Sequence, residues 1–183
     1  MKELSLYVLD ITMNSVRAGA TDIEIRLVEK NNVLDMYIVD NGCGMSAEQV
    51  AKLSDPFYTT RKTRKVGLGV PFLRMLAEMT GGSVEITSIP EAESSDHGTT
   101  VHAVFHTDHI DFVPMGDIIE TVITLIQGSP DVDFLYIHET DKGEVRLSVA
   151  EIRQILGEEV PLSSFEILEW IKGFLTEQYD ALV

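Results

Sequence analysis

The sequence predicts an α+β chain in two parts, residues 1–107 and 108–183. Three observations predict it. Segments with helical and strand periodicity follow one another along the whole chain. The strand segments come in neighbouring pairs bracketed by Asn, Asp and Gly turns. The charge is uneven: residues 108–183 carry 16 acidic and 4 basic residues, against 14 and 10 in residues 1–107. A chain of 183 residues can bury an adequate core as one compact domain or as one domain with a smaller appended part.

Leu4, Val8, Ile11, Ser15 and Ala18 keep one helical face, and Gly19 supplies a stop just past the last turn. Ile23, Ile25 and Leu27 alternate with charged residues, Asn31-Asn32 marks a turn, and Val33 to Val39 returns, so the two strands form a hairpin. Ser46 with Gln49 reads as a capping box for a short helix through Leu53. Val70 to Met79 is helical and Gly81-Gly82 ends it. Val84 and Ile86 open a strand, 91–98 is a polar turn, and Thr100 to Phe105 returns as a strand. In the second part, Ile118 to Ile126 has helical character. Phe134 to Ile137 and Glu144 to Leu147 then flank the Asp141-Lys142-Gly143 turn as a hairpin. Capping boxes at Ser148 with Glu151 and at Ser163 with Glu166 announce two further helices.

Composition excludes several classes. A formal charge of −16 argues against a nucleic-acid partner, because that binding depends on a basic surface that releases counterions. No apolar stretch reaches the ~20 residues of a membrane span, and the start MKELSLYVLDIT carries acids where a signal peptide would not. The expectation is a cytoplasmic chain without a membrane partner. The single cysteine, Cys43, allows no internal disulfide and is expected to pack as a small hydrophobe. His102 and His106 share a strand face near His109, but without cysteines they do not make a zinc site. His138-Glu139 lies in an alternating strand pattern, not on a phosphoacceptor helix.

Five short motifs occur in order: Asp10 to Asn14 in LDITMNSVRAGA, Asp40 to Met45 in DNGCGM, Pro56 to Arg61 in PFYTTR, Gly67 to Gly69 in GLG, and Gly98 to Thr100 in HGTT. Together they resemble the GHKL, or Bergerat-type, class of ATP-binding domains, which includes gyrase B subunits, the heat-shock chaperone, histidine kinases and mismatch-repair ATPases. The run from PFYTTR through GLGVPFLRMLAEMTGGSVEITS to HGTT is most similar to the histidine-kinase catalytic domain, and AGAT at Ala18 to Thr21 is shared with the repair ATPases. Over about residues 3–107 the resemblance implies a two-layer α/β sandwich with a mixed sheet and ATP on its helical side. Residues 108–183 are left as a small α+β appendage.

The residues themselves suit that ligand. Asp10 and Asn14 stand one helical turn apart and point the same way. The Asn14 amide oxygen could ligate Mg²⁺ already held by ATP phosphates, since Mg²⁺ takes few protein ligands and keeps its waters. Asp10 would then orient or deprotonate a water. Arg17, three residues on, could reach a terminal phosphate. Asp40 ends a strand beside a Gly-rich loop, where its carboxylate could accept the amine of adenine; Gly42 and Gly44 let the backbone approach the base, and Met45 would wall it. Arg61 and Lys62 head a basic run beside Gly67, Leu68 and Gly69, whose backbone N–H groups, opening a helix, would bind phosphate oxygens. Thr99 and Thr100 resemble the family residues that complete the Asp40 and adenine network.

Two positions depart from the family pattern. Asp10 stands where hydrolysing branches usually have Glu and many histidine kinases Asn, and Lys65-Val66 replaces Gly-Thr before GLG. The expected function is Mg²⁺-dependent ATP binding by a stand-alone kinase acting on a separate protein partner, reached through the C-terminal part. An ATP-hydrolysing switch using Asp10 and a nucleotide-gated binding module are the alternatives. Helical apolar faces near Ile152 to Leu156 and Ile167 to Leu175, with Trp170 and Phe174, are read as core or as a partner surface.

Overall fold

The computed structural model describes residues 1–53, 55 and 68–183. Its elements run α1 (Leu4–Arg17), β1 (Asp22–Lys30), β2 (Val33–Asp40), α2 (Ala47–Leu53), α3 (Gly69–Met79), β3 (Ser83–Ile89), β4 (Gly98–His106), α4 (Ile118–Gly128), β5 (Asp133–Thr140), β6 (Gly143–Ser148), α5 (Val149–Leu156) and α6 (Phe165–Asp180). The six strands form one mixed sheet in the order β3-β4-β2-β1-β5-β6. Only β1 and β5 pair in parallel, Ile23 opposite Phe134 and Ile25 opposite Tyr136; the other neighbours are antiparallel.

Period-2 patterning decides which face is covered. Ile23, Ile25 and Leu27, then Leu34, Met36 and Ile38, then Val101, Ala103 and Phe105 are all buried beneath the helices, and Phe134, Tyr136, Val145 and Leu147 continue the same core. Each Val, Leu, Ile, Met or Phe among them contributes roughly 1.5–3 kcal/mol when fully buried. The intervening residues form the other face, where Val28, Val39, Val104, Leu135 and Ile137 mix with charged and aromatic groups. Arg26 bridges Glu24 at 2.8 Å and Glu139 at 3.1 Å, and His102 Nε2 meets Asp35 Oδ1 at 2.6 Å while its ring stacks on Tyr37.

The hairpin turn and two of the three expected capping signals act as the sequence expects. Asn31 and Asn32 both take positive φ, 53° and 60°, as a two-residue hairpin turn requires. The Ser46 and Gln49 box closes both ways, Gln49 N–H donating to Ser46 Oγ and Ser46 N–H to Gln49 Oε1. Glu151 N–H donates to Ser148 Oγ at the start of α5. The expected Ser163 and Glu166 box is replaced: Ser164 stands at the N-cap position of α6 without a side-chain cap bond, because the helix begins one residue later than that box requires.

The two compositional parts share this sheet and one core. The start of α1 has no side-chain cap; instead Leu4 N–H and Ser5 N–H donate to the carbonyls of Pro114 and Met115 at 2.8 and 2.9 Å. Asp133 N–H donates to Thr21 O at 2.8 Å where β5 enters beside β1. Residues 108–183 thus satisfy backbone groups that residues 1–107 leave open.

Candidate nucleotide site

The C-terminal half of α1, the loop after β2, the end of α2, the first turn of α3 and the inner faces of β3 and β4 enclose a cavity of about 480 Å³. That volume lies within the range of small-molecule sites. Its floor and walls are apolar, from Ile11, Met45, Leu53, Val70, Ile86 and Val101, while Asn14, Ser15, Arg17, Asp40 and Thr99 supply the polar groups. An aromatic base with polar edges fits such a lining.

Asp40 is fixed from two sides. Ser15 Oγ donates to its Oδ2 at 2.6 Å and Gly42 N–H to its Oδ1 at 2.8 Å. Each carboxylate oxygen keeps a lone pair for a further donor, so the group is oriented without being saturated. The loop that follows is clamped to its surroundings. Cys43 N–H donates to Ala18 O at 2.9 Å, Glu91 N–H to Cys43 O at 2.8 Å, and Met45 N–H to Ser88 Oγ at 2.8 Å. Ser88 also reaches Gly98 O at 3.0 Å and Thr99 Oγ1 at 2.8 Å, while His97 Nδ1 bonds Gly42 O. Gly44 takes φ 69° with its α-carbon against the Ile89 carbonyl, where a side chain would collide with backbone.

Asn14, Arg17, Asp40, Gly44, Met45 and Thr99, all singled out from sequence, line the one cavity. Gly42 serves through its N–H, and its α-carbon packs against Ala18, leaving no room for a side chain. Asp10 stands outside the cavity wall; its carboxylate lies against Gly69 in the first turn of α3, which joins the first and fourth motifs directly. Leu68 is the N-cap of α3 and exposed. Thr100 is carried to the polar side of β4 by strand alternation, away from Thr99, and is not among the lining residues. Arg61, Lys62 and Gly67 lie outside the described residues.

Cys43 corrects its expectation: it is exposed and lines the cavity instead of packing in the core. In the sequence pattern Ser15 is only a member of the helix's inner stripe. A hydroxyl on an otherwise apolar stripe needs a buried partner, and that was the available signal. Ile11, Ala18, Leu53, Val70, Ile86 and Val101 carry apolar patterning that sequence cannot distinguish from ordinary core.

The Asn14 amide oxygen accepts from Arg17 Nη1 at 3.1 Å. A hard oxygen donor at the cavity wall, beside a guanidinium able to pair with phosphate, fits a Mg²⁺ ion that brings most of its ligands from nucleotide and water.

Residues 2–109 match the family described as histidine kinase-, DNA gyrase B- and HSP90-like ATPases, and the chain belongs to it. This makes it an ATP-binding domain of the histidine-kinase-like kind. Sporulation kinase B of Bacillus subtilis (strain 168) is 31% identical over 102 residues, 54% of this chain and 22% of that protein. The signal transduction histidine-protein kinase AtoS of Escherichia coli (strain K12) is 30% identical over 90 residues, 48% of this chain and 15% of that protein. The chain therefore spans less than a quarter of the length of these relatives. Among solved structures, the Aquifex aeolicus MutL ATPase domain complexed with ADP matches 94% of this chain and 69% of its own, with a TM-score of 0.57 and 16% identity. That likeness concerns the fold, and it extends past residue 109 into the second part. Among the described residues, no helix is long and apolar enough to cross a membrane.

Proposed function

We propose that the chain is a Mg²⁺-dependent ATP-binding protein that transfers the γ-phosphoryl group to a His, Ser or Thr of a separate protein partner. The observation that carries this is the convergence of Asn14, Arg17, Asp40, Gly44, Met45 and Thr99 on one cavity of about 480 Å³. Asp40 is the acceptor for the adenine amine, Asn14 the ligand that holds Mg²⁺, and Arg17 the cation that shifts from Asn14 to a terminal phosphate. Residues 108–183 carry the contact with the partner, and the chain works in the cytoplasm.

A second reading is favoured by the position of Asp10. Its carboxylate meets the first turn of α3 one helical turn from Asn14, so hydrolysis with a partner sensing the nucleotide state is the competing outcome.

The test incubates the protein and its Asn14→Ala variant with Mg²⁺ and γ-labelled ATP, following free phosphate, label on protein and nucleotide bound. Asn14→Ala is expected to weaken Mg·ATP binding at least tenfold, about 1.4 kcal/mol. Normal Mg·ATP affinity and activity in the variant would remove the proposal. Asn14-dependent phosphate release that needs Asp10 would select the hydrolytic reading.

A further inference from the structure

On α6, Trp170 and Phe174 stand one turn apart and stack on each other, with centroids 5.4 Å apart and planes 7° apart. They are 54% and 38% exposed, so this aromatic pair covers no core of its own. The helix buries Leu168, Ile171 and Leu175 on its other side. Between the two rings in sequence is Gly173, a poor residue for a helix interior. A β-carbon there would meet nothing within 4 Å, so no packing inside the molecule demands the glycine. Its effect is to leave a gap in the helix's layer of side chains, a notch open to solvent on the face that carries the rings.

The charges around that notch have one sign. At helical spacing, Glu169 and Glu177 flank Gly173 at i−4 and i+4, and Glu166 precedes Trp170 by four. All three are exposed, and none has an ion-pair partner among the described residues. Lys172, the base on this helix, turns the other way to Glu120 on α4 at 3.4 Å. Arg146 and Arg153 are taken by Glu151 and Asp133, each at 2.8 Å. Three of the four bases in residues 108–183 are thus held by this part's own acids.

We propose that this face of α6 is a docking site for a cationic amphipathic helix of a partner protein. A Lys or Arg of the partner seats in the notch over Gly173, between Glu169 and Glu177 and against the face of Trp170, where a cation is favoured over an indole ring. The partner's apolar residues cover Phe174. The inference deepens the reading that residues 108–183 carry the partner contact, and it does not depend on what becomes of the nucleotide.

Trp170 is the chain's only tryptophan, so its fluorescence reports on this face alone. The full chain is titrated with a synthetic amphipathic helical peptide of Leu and Lys, and in parallel with the same peptide carrying Glu in place of Lys. The expected result is a saturable shift in Trp170 emission with the Lys peptide and none with the Glu peptide. Anisotropy of the labelled Lys peptide then compares variants. Gly173→Leu fills the notch without touching the core and is expected to weaken binding about tenfold, as is the pair Glu169→Gln with Glu177→Gln. The pair Asp108→Asn with Asp111→Asn removes the same charge elsewhere and should leave affinity unchanged. Equal weakening by that control pair, or no effect of Gly173→Leu, would overturn the proposal as mere attraction to an acidic protein. ATP affinity measured on the same samples keeps a failure here separate from a failure of the nucleotide reading.

Discussion

Ser15 shows how one hydroxyl turns a helix stripe into part of the cavity's polar lining. It is 5% exposed, buried like its neighbours on the inner face of α1, yet its Oγ donates to Asp40 Oδ2 at 2.6 Å and fixes the carboxylate's direction. Hydrogen bonds to charged groups contribute about 1.5–3 kcal/mol. Ser15→Ala is therefore expected to weaken ATP binding about tenfold while the chain stays folded, because a methyl is accommodated in that apolar surrounding. Isothermal titration with Mg·ATP, alongside a thermal melt, checks it; unchanged affinity would show that Gly42 N–H alone orients Asp40. The position of Asp40 in the cavity lining was legible from its place at a strand end before a Gly-rich loop. That of Ser15 was not, because its partner lies 25 residues away.

The seating of α6 rests on a buried polar chain as well as on Leu168, Ile171 and Leu175. Tyr136 Oη bonds Tyr179 Oη, and Tyr179 Oη also meets His138 Nδ1 at 2.7 Å, tying the helix to β5. Burial, with Glu29 nearby, pushes the Tyr179 phenol from an ordinary 10 up to about 12, and burial pushes Tyr136 well above its ordinary value. Both shifts favour the neutral phenol in the folded chain. For Tyr179 that stabilisation is fully present below pH 10 and is lost as the pH rises from 10 through about 12. Absorbance at the phenolate band, followed with circular dichroism, should show these two tyrosines ionising only as α6 leaves the sheet. Ionisation of all five tyrosines near pH 10 in a folded chain would contradict this arrangement. The helix and strand were each readable from their periodicity, but their junction was not, since no local pattern pairs Tyr136 with a residue 43 positions later.

The molecule is held as a unit by β5. Its parallel register against β1, and the carbonyls of Pro114 and Met115 at the start of α1, place the second part inside the hydrogen bonding of the first. Removing residues 108–183 would bare the β1 edge, a template for intermolecular pairing. It would also uncover Ile23 and Ile25, now 1% exposed beside Phe134 and Tyr136. Fragment 1–107 is expected to aggregate or to melt without a cooperative transition. Sedimentation and calorimetry test this; a monomeric fragment melting within a few degrees of the whole chain would mean that the ATP-binding part folds alone.

The chain's own order of residues determined the elements and the chemistry of the pocket. Periodicity located α1, the β1 and β2 hairpin and α3, turn residues such as Asn31-Asn32 ended them, and five motifs named a nucleotide, because these signals act over a few residues. Tertiary structure alone decided three things: that Thr99 faces the cavity while Thr100 faces away, that Cys43 is exposed there, and that β5 lies parallel to β1 in one continuous sheet. Each of these depends on which distant segments share buried surface and backbone hydrogen bonds, and that competition is settled only when the whole chain packs.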